Sequence, residues 1–518
     1  MAFFEVVRLN VKLLPSALLT LLLGSVASLE AAAESRPDVL VILTDQWNPR
    51  YLSWDDPQVR TPNLDEIARE GMIFDACYTT SPVCVPARVS LITGLYSHNA
   101  GHSVWGNVTN YYVPPESAPM FRDIQRAGYT TSQIGKLHWM SGPAWHREFK
   151  TMDEYYRALG LDFTVSGNGP VDNPADDSAY AQYLKKLGVL DAVAADMRAR
   201  YVKSQYEPRA SLVKPEDYHD TFHTGVAVEL IGRQPQGKPL CVVVSLHSPH
   251  PPFDAPGEFA TMFDPQKLTL PDNVPQSLKR EGQTIDRAEL RRMLANYLGK
   301  IALVDQCVGR LVAALKTRGT WDNTLVLFTA DHGEMMGAHG VMSKGRFYEE
   351  SARVPLVVRW PGRVKTGRTK ALAQMADVYP TIVEAIGGDL TPGRFAKSLL
   401  PVATGKAERV REVAISEIGA ITPLNMMARD ARYKWWAEGD REYLFDLESD
   451  PLEMNNLAGE PAQRDTLSRM RANMLTELRT LQMNLSEGYV PKVQRLRAEE
   501  GAADDAAKPA APKRKKLK

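Results

Sequence analysis

The chain reads as an α/β protein: a mostly parallel sheet flanked by helices, with a smaller α+β region toward its C-terminal end. Three observations predict this. Residues 38–44, 240–246 and 324–329 are continuous apolar runs rather than alternating ones, as expected of strands buried on both faces of a parallel sheet. Leu290, Leu294, Tyr297, Ile301, Val304, Val308, Leu311 and Leu315 recur at spacings of four and three, which predicts one long helix with a single apolar stripe. Arg291, Arg292 and Lys300 fall off that stripe. Each apolar run also leads into an acid or a histidine: Asp45, His250, and Asp331 with His332. Ligands of open parallel sheets bind beyond the carboxyl ends of the strands, so these residues predict one site.

In chain order, Arg8 and Lys12 precede an apolar run over 13–26 and small residues through Ala33, the pattern of an export signal over 1–33. That run is short for a membrane span, and no later stretch rivals it. The expected mature protein is soluble, periplasmic or secreted, with no stable membrane span. Residues 34–385 are expected to form the large domain. Thr61-Pro62-Asn63 offers a helix start, and Gly71 a stop after Leu64, Ile67 and Ala68. Residues 141–236 show few long periodic runs and read as excursions over the sheet. From 386 to 490 the segments shorten, with Tyr433-Lys434-Trp435-Trp436 and Tyr443-Leu444-Phe445-Asp446 predicting an antiparallel subdomain and a terminal helix. Residues 491–518, Ala-rich from Glu499 and ending Lys513-Arg514-Lys515-Lys516-Leu517-Lys518, read as a disordered, solvated basic tail.

Composition excludes more than it specifies. The 518 residues carry 62 Lys+Arg against 62 Asp+Glu, so no global field favours nucleic acid or a membrane, and an anionic substrate must be attracted locally. Of four cysteines, Cys241 lies in an apolar run and Cys307 on the periodic helix. With Cys77 and Cys84 they suggest no disulfide framework.

Cys84 is placed for chemistry. Pro86 suits the first turn of a helix, which sets Cys84 just ahead of free N–H groups that favour an anion. Arg88 follows four residues later, on the same side. A nucleophile beside a guanidinium at a helix start suits attack on a sulfate or phosphate group. Taken alone, the same residues describe a buried cysteine before a helix-starting proline. Asp45, Asp331 and His332 form a candidate metal cluster, in which the acids suit Ca²⁺ or Mg²⁺ and the histidine turns the set toward Mn²⁺ or Zn²⁺. Gly333 permits a tight turn after the strand, and Glu334 reads as a brace for that loop.

Cys84-Val85-Pro86-Ala87-Arg88 followed by Thr93-Gly94 resembles the maturation signature of type I sulfatases. In that family the cysteine is oxidised to formylglycine, whose hydrate is the nucleophile. Gly135-Lys136-Leu137-His138 resembles the family's lysine–histidine pair, the segment from Ser248 to Phe253 its second histidine loop, and Lys344 its downstream lysine. Leu444 to Pro451 with Asn456-Leu457-Ala458 is similar to the end of sulfatase chains. The resemblance spans 37–460 and implies the alkaline-phosphatase-like fold. It implies catalytic roles for Cys84, Arg88, Lys136, His138, His250 and Lys344, with His250 protonating the leaving oxygen and His138 deprotonating the second hydroxyl. It implies one divalent metal, Ca²⁺ ahead of Mn²⁺ or Zn²⁺, on Asp45, Gln46, residue 84, Asp331 and His332. It also implies a small-molecule or saccharide sulfate ester as substrate and a formylglycine-generating enzyme as maturation partner.

Four positions depart from the common pattern: Gln46 stands where an aspartate is usual, His332 for asparagine, Ala87 for serine and Leu95 for arginine. Gln46 and His332 are similar to phosphonate monoester hydrolases and choline-sulfatase-like enzymes. Two alternatives therefore stand beside the sulfatase. One is a phosphonate monoester or phosphodiester hydrolase using the same aldehyde; the other is a non-catalytic exported binding protein that keeps the Cys84 thiol. Trp47, Trp54, Trp105, Trp139 and Trp145 near these motifs suit either core packing or stacking on a sugar. Asn107 and Asn484 fit the glycosylation pattern.

Overall fold

The computed structural model describes residues 36–100, 111–141, 146, 148–167, 169–280, 282–419 and 424–484. The predicted signal 1–33, the tail 491–518, Trp105, Trp145 and the Asn107 pattern lie outside the described residues.

Eight of the described strands form one sheet: β1 (Asp38–Asp45), β2 (Met72–Tyr78), β3 (Thr130–Gly135), β4 (Phe163–Ser166), β5 (Leu240–Pro249), β6 (Thr324–Ala330), β7 (Leu356–Arg359) and β8 (Gly367–Gln374). Their order is β8-β2-β7-β6-β1-β5-β3-β4. Only β7 runs antiparallel to its neighbours. The three apolar runs are the central strands β6, β1 and β5, and every residue of each is buried. Continuous apolar sequence is the price of having helices on both faces.

Helix α1 (Pro62–Arg69) follows β1 and buries Leu64, Ile67 and Ala68, as its spacing predicts. Helix α2 (Cys84–Thr93) begins at Cys84 itself, so the cysteine lies inside the first turn rather than ahead of it. Val83 is the extended cap, and the first helical bond runs from Ala87 N to Val83 O at 3.1 Å, leaving the proline nitrogen at Pro86 without a required donor. The periodic stripe forms a helix of 32 residues, labelled α4 below, Arg287–Arg318, capped by Asp286 and ended by Gly319 at φ 79°. All eight stripe residues are buried. Lys300, off the stripe, is buried as well.

The region 141–236 is more regular than its sequence suggests. It supplies the edge strand β4 and helix α3 (His219–Arg233), which lies against β5, β3 and α4. The buried face of α3 carries His219, Asp220, Thr221, His223 and Thr224 beside Ala227 and Ile231. A polar buried face hides the helical period that apolar residues would reveal.

Strands β9 (Ala414–Gly419), β10 (Leu424–Arg429), β11 (Tyr433–Glu438) and β12 (Arg441–Asp446) pair in sequence order as an antiparallel sheet, with α5 (Arg464–Asn484) against β10 and β11. Side-chain alternation in β11 sends Trp435 into a cluster with Met470 of α5 and Trp436 into another with Tyr78, Phe347 and Phe445. All four cysteines are buried and unpaired. No described helix is long and apolar enough to cross a membrane.

Gly135, the last residue of β3, has φ 96°, and a β-carbon there would lie 2.0 Å from Ser245 O. A Gly135→Ala substitution must push β3 from β5 and displace Lys136. The expected loss of stability is roughly 3 kcal/mol or more, read from the midpoint of urea unfolding.

Candidate functional site

The carboxyl ends of the central strands deliver the predicted residues to one place. Asp45 ends β1, and Asp331 follows β6 with its N–H donated to Thr44 O at 3.1 Å. Lys136 follows β3 and donates its N–H to Ser245 O of β5 at 2.8 Å, while His250 follows β5. Helix α2, which follows β2, brings in Cys84 and Arg88.

Arg88 is fully buried and organises the acids. Its Nε donates to Asp331 Oδ2 at 2.7 Å, one terminal nitrogen lies 3.1 Å from Asp45 Oδ2, and the other donates to Ser245 Oγ at 2.7 Å and Lys136 O at 2.9 Å. All three guanidinium nitrogens are engaged, so Arg88 aligns the groups around Cys84. Lys136 Nζ adds a second cation 2.6 Å from Asp45 Oδ2. Burial opposes the Asp45 charge, yet Lys136, His250, Arg88 and Lys344 hold its carboxyl well below the usual carboxylate range. Asp331 moves the other way, because burial and the adjacent Asp45 outweigh His332 and Arg88.

Cys84 Sγ lies 2.8 Å from Lys344 Nζ, 3.1 Å from His332 Nε2, 3.7 Å from Asp45 Oδ1 and 4.0 Å from Lys136 Nζ. Burial and Asp45 push the thiol up, but Lys136, Lys344 and His332 outweigh them and hold it well below the ordinary thiol range. This is a position built for negative charge. His138 and His250 both reach Cys84. Burial lowers both imidazoles, His250 to about 4, with the Lys344 and Lys136 charges adding to its fall.

Asp45, Cys84, Asp331 and His332 have ligand atoms all within 4.8 Å of one another, and all four are buried. Two further observations fit a divalent cation. His332 Nδ1 lies 3.0 Å from Gly333 O, which orients the ring so that Nε2 faces the acids and would serve as a ligand once a cation takes the place of its proton. Gln46 donates its amide nitrogen to Glu334, which leaves its buried Oε1 without a hydrogen-bond partner. Oxygen donors with one imidazole suit Ca²⁺, Mn²⁺ or Zn²⁺ by chemistry. Gln46 has φ 64°, and this strained turn is tied to α4 by Tyr297, whose hydroxyl donates to Gln46 O at 2.7 Å and accepts from Asn48 N at 2.9 Å.

Several supporting residues escape sequence reasoning. Ser245 was legible only as a polar residue inside an apolar run. Lys300 Nζ donates to His250 O at 2.6 Å and Pro252 O at 2.8 Å, and lies 3.2 Å from Asp254 Oδ1. It clamps the His250 loop from α4. Glu334, by contrast, braces its loop as the sequence suggests, accepting from Met336 N at 2.9 Å and Ser343 N at 2.6 Å. Of the tryptophans, Trp47 is buried edge-on to Phe328 and Trp139 against Phe121, both in the core, while Trp54 is half-buried.

Residue 84 thus occupies an anion-favouring position beyond a parallel sheet, next to a cluster of metal-type donors, and similarity to known proteins gives the class of protein that carries this arrangement. The sulfatase family profile matches residues 37–388, and the C-terminal profile of N-sulphoglucosamine sulphohydrolase matches 337–481. The chain belongs to the sulfatase family, hydrolases of sulfuric esters. It is 30% identical to a choline-sulfatase of Rhizobium meliloti over 82% of this chain and 83% of that one. It is 28% identical to the multifunctional alkaline phosphatase superfamily protein PehA of Trinickia caryophylli, over 83% of this chain and 92% of that one. Among solved structures, the phosphonate monoester hydrolase of Agrobacterium radiobacter superimposes with a TM-score of 0.73 at 25% identity, covering 86% of this chain and 96% of that one.

Replacing Arg88 by Met leaves two adjacent buried carboxylates without their bridging cation. In metal-stripped protein the expected cost is about 3–5 kcal/mol, measured by urea unfolding against the unsubstituted chain.

Proposed function

We propose that this chain is an exported sulfatase that hydrolyses the sulfate ester of a small molecule or saccharide, using formylglycine derived from Cys84 and one divalent metal. The observation that carries the reading is the ring of Lys344, Lys136 and His332 around Cys84, which favours an anion at residue 84 despite full burial.

Asp45, Gln46, Asp331, His332 and the matured residue 84 would hold the metal, with Ca²⁺ the first candidate. Bound there, the metal supplies positive charge beside the anionic oxygens, and formylglycine supplies as its hydrate a hydroxyl nucleophile and a second ionisable hydroxyl. The chain's own residues do the rest. Arg88 fixes Asp45 and Asp331 in place. Lys136 and Lys344 offset negative charge on the transferring group in a site where water does not screen them. His250, held by Lys300 through its own carbonyl, donates a proton to the departing alcohol oxygen. His138 takes a proton at residue 84, which returns the residue to its resting state and releases sulfate.

Gln46 and His332, together with the likeness to a phosphonate monoester hydrolase, favour one second reading: the same centre acting on phosphonate monoesters or phosphodiesters. Comparison of kcat/KM for 4-nitrophenyl sulfate, a phenyl phosphonate monoester and a phosphodiester decides between them. The expected order places the sulfate first; a large excess for either phospho-ester contradicts the proposal.

Cys84→Ala is expected to lower kcat by at least about 10³-fold, because no neighbouring side chain replaces the nucleophile. His250→Ala should cost about 10²–10⁴-fold with alkyl sulfates and far less with 4-nitrophenyl sulfate, whose leaving group needs no proton. Chelation followed by elemental analysis should remove one divalent metal per chain and abolish turnover, restored by adding Ca²⁺.

A further inference from the structure

Three histidines beside the site take no part in the chemistry above. His219 and His223 stand one turn apart on α3, and His247 lies three residues before His250 on β5. They are buried, with 4%, 5% and 6% of their surfaces exposed. Both ring nitrogens of His247 and the Nε2 atoms of His219 and His223 have no hydrogen-bond partner. His219 Nδ1 lies 3.2 Å from Asp220 Oδ1. Buried polar atoms are rarely left unpaired, and several together mark a place that a ligand or water fills.

The rings lead to the reacting centre. His219 and His247 have ring centroids 5.2 Å apart, and His247 and His250 4.8 Å. The turn after β4 packs its backbone against them: a β-carbon on Gly167 would lie 2.7 Å from His223 Nε2, too close for a side chain, and one on Gly169 3.6 Å from His247 Cε1. Two histidines four apart on a helix are also a zinc pattern. Here the donor atoms do not converge, since the described sets with ligand atoms within 4.8 Å of one another include none of the three. Dispersed nitrogens suit several separate hydrogen bonds instead.

The surroundings select the chemistry. Burial, with the neighbouring charges of Lys136, His250 and His219, holds His247 well below its ordinary range, and burial brings His223 down to about 4. A neutral imidazole offers one donor and one acceptor, the complement of a hydroxyl group.

We propose that His219, His223 and His247 form a leaving-group subsite that hydrogen-bonds the hydroxyls of a neutral saccharide bearing the sulfate. The proposal rests on the sulfatase reading of residue 84. It is tested with full-length enzyme from a host that matures Cys84, comparing kcat/KM for a panel of neutral hexose monosulfates, choline sulfate and 4-nitrophenyl sulfate. The wild type should turn over at least one hexose sulfate better than choline sulfate. His223→Phe and His247→Phe should each lower the ratio of hexose sulfate to 4-nitrophenyl sulfate by about tenfold or more, mainly through KM. His247→Gln, which keeps a donor and an acceptor, should recover part of that ratio. An unchanged ratio, or a preference for choline sulfate, overturns the subsite while leaving the sulfatase reading in place. Absence of turnover with 4-nitrophenyl sulfate as well overturns both.

Discussion

The structure around residue 84 depends on how two buried carboxylates are kept together. Asp45 and Asp331 end neighbouring parallel strands in register, Thr44 opposite Ala330, so the sheet itself brings like charges side by side. Water cannot reach them. Arg88 resolves the conflict by binding both at once, 3.1 Å from Asp45 and 2.7 Å from Asp331. A planar guanidinium does this where an ammonium would not, because its donors diverge at fixed angles. The helix that carries Arg88 starts with Cys84, so satisfying the acids also sets the cysteine against them. Sheet register, helix start and nucleophile position are one arrangement.

The overall charge balance is even, yet the site is strongly polarised. Arg88, Lys136 and Lys344 converge on residue 84 from α2, from the end of β3 and from the loop after Asp331. In a low-dielectric cleft such charges act over short range with little screening. Lys136 and Lys344 favour an anion at residue 84. Burial together with those two charges lowers the His250 imidazole to about 4 in the free chain, so its part as the acid calls for an anionic ester bound beside it to raise it again. Anchors beyond the cleft keep these groups still: Tyr297 and Lys300 on α4 hold the turns bearing Gln46 and His250. One long helix therefore supports both the metal-type donors and the histidine loop.

Much of this was legible in the residues. Continuous apolar runs at 38–44, 240–246 and 324–329 announced the central strands, and the stripe from Leu290 to Leu315 announced α4. Acids and histidines at the strand ends pointed to one site, whereas Lys136, His138 and Lys344 were singled out only by their resemblance to sulfatase motifs. What stayed hidden was polar and buried. Helix α3 shows no apolar period because histidine, aspartate and threonine fill its inner face. Lys300 read only as a charge off the apolar stripe; the fold places it against carbonyls of a neighbouring loop. Ser245 works through hydrogen bonds that a linear sequence does not encode, whereas Glu334 braces its loop as its place after Gly333 suggested.

The central claim is that residue 84 is a matured nucleophile rather than a thiol. Mass spectrometry of the peptide from Glu70 to Arg88, taken from protein produced in its native host, tests it most directly. The account predicts a peptide in which the Cys84 thiol has been replaced by an aldehyde, seen as the lighter mass or as its trapped hydrazone. A peptide carrying only the intact cysteine, in enzyme that still hydrolyses its substrate, would contradict it.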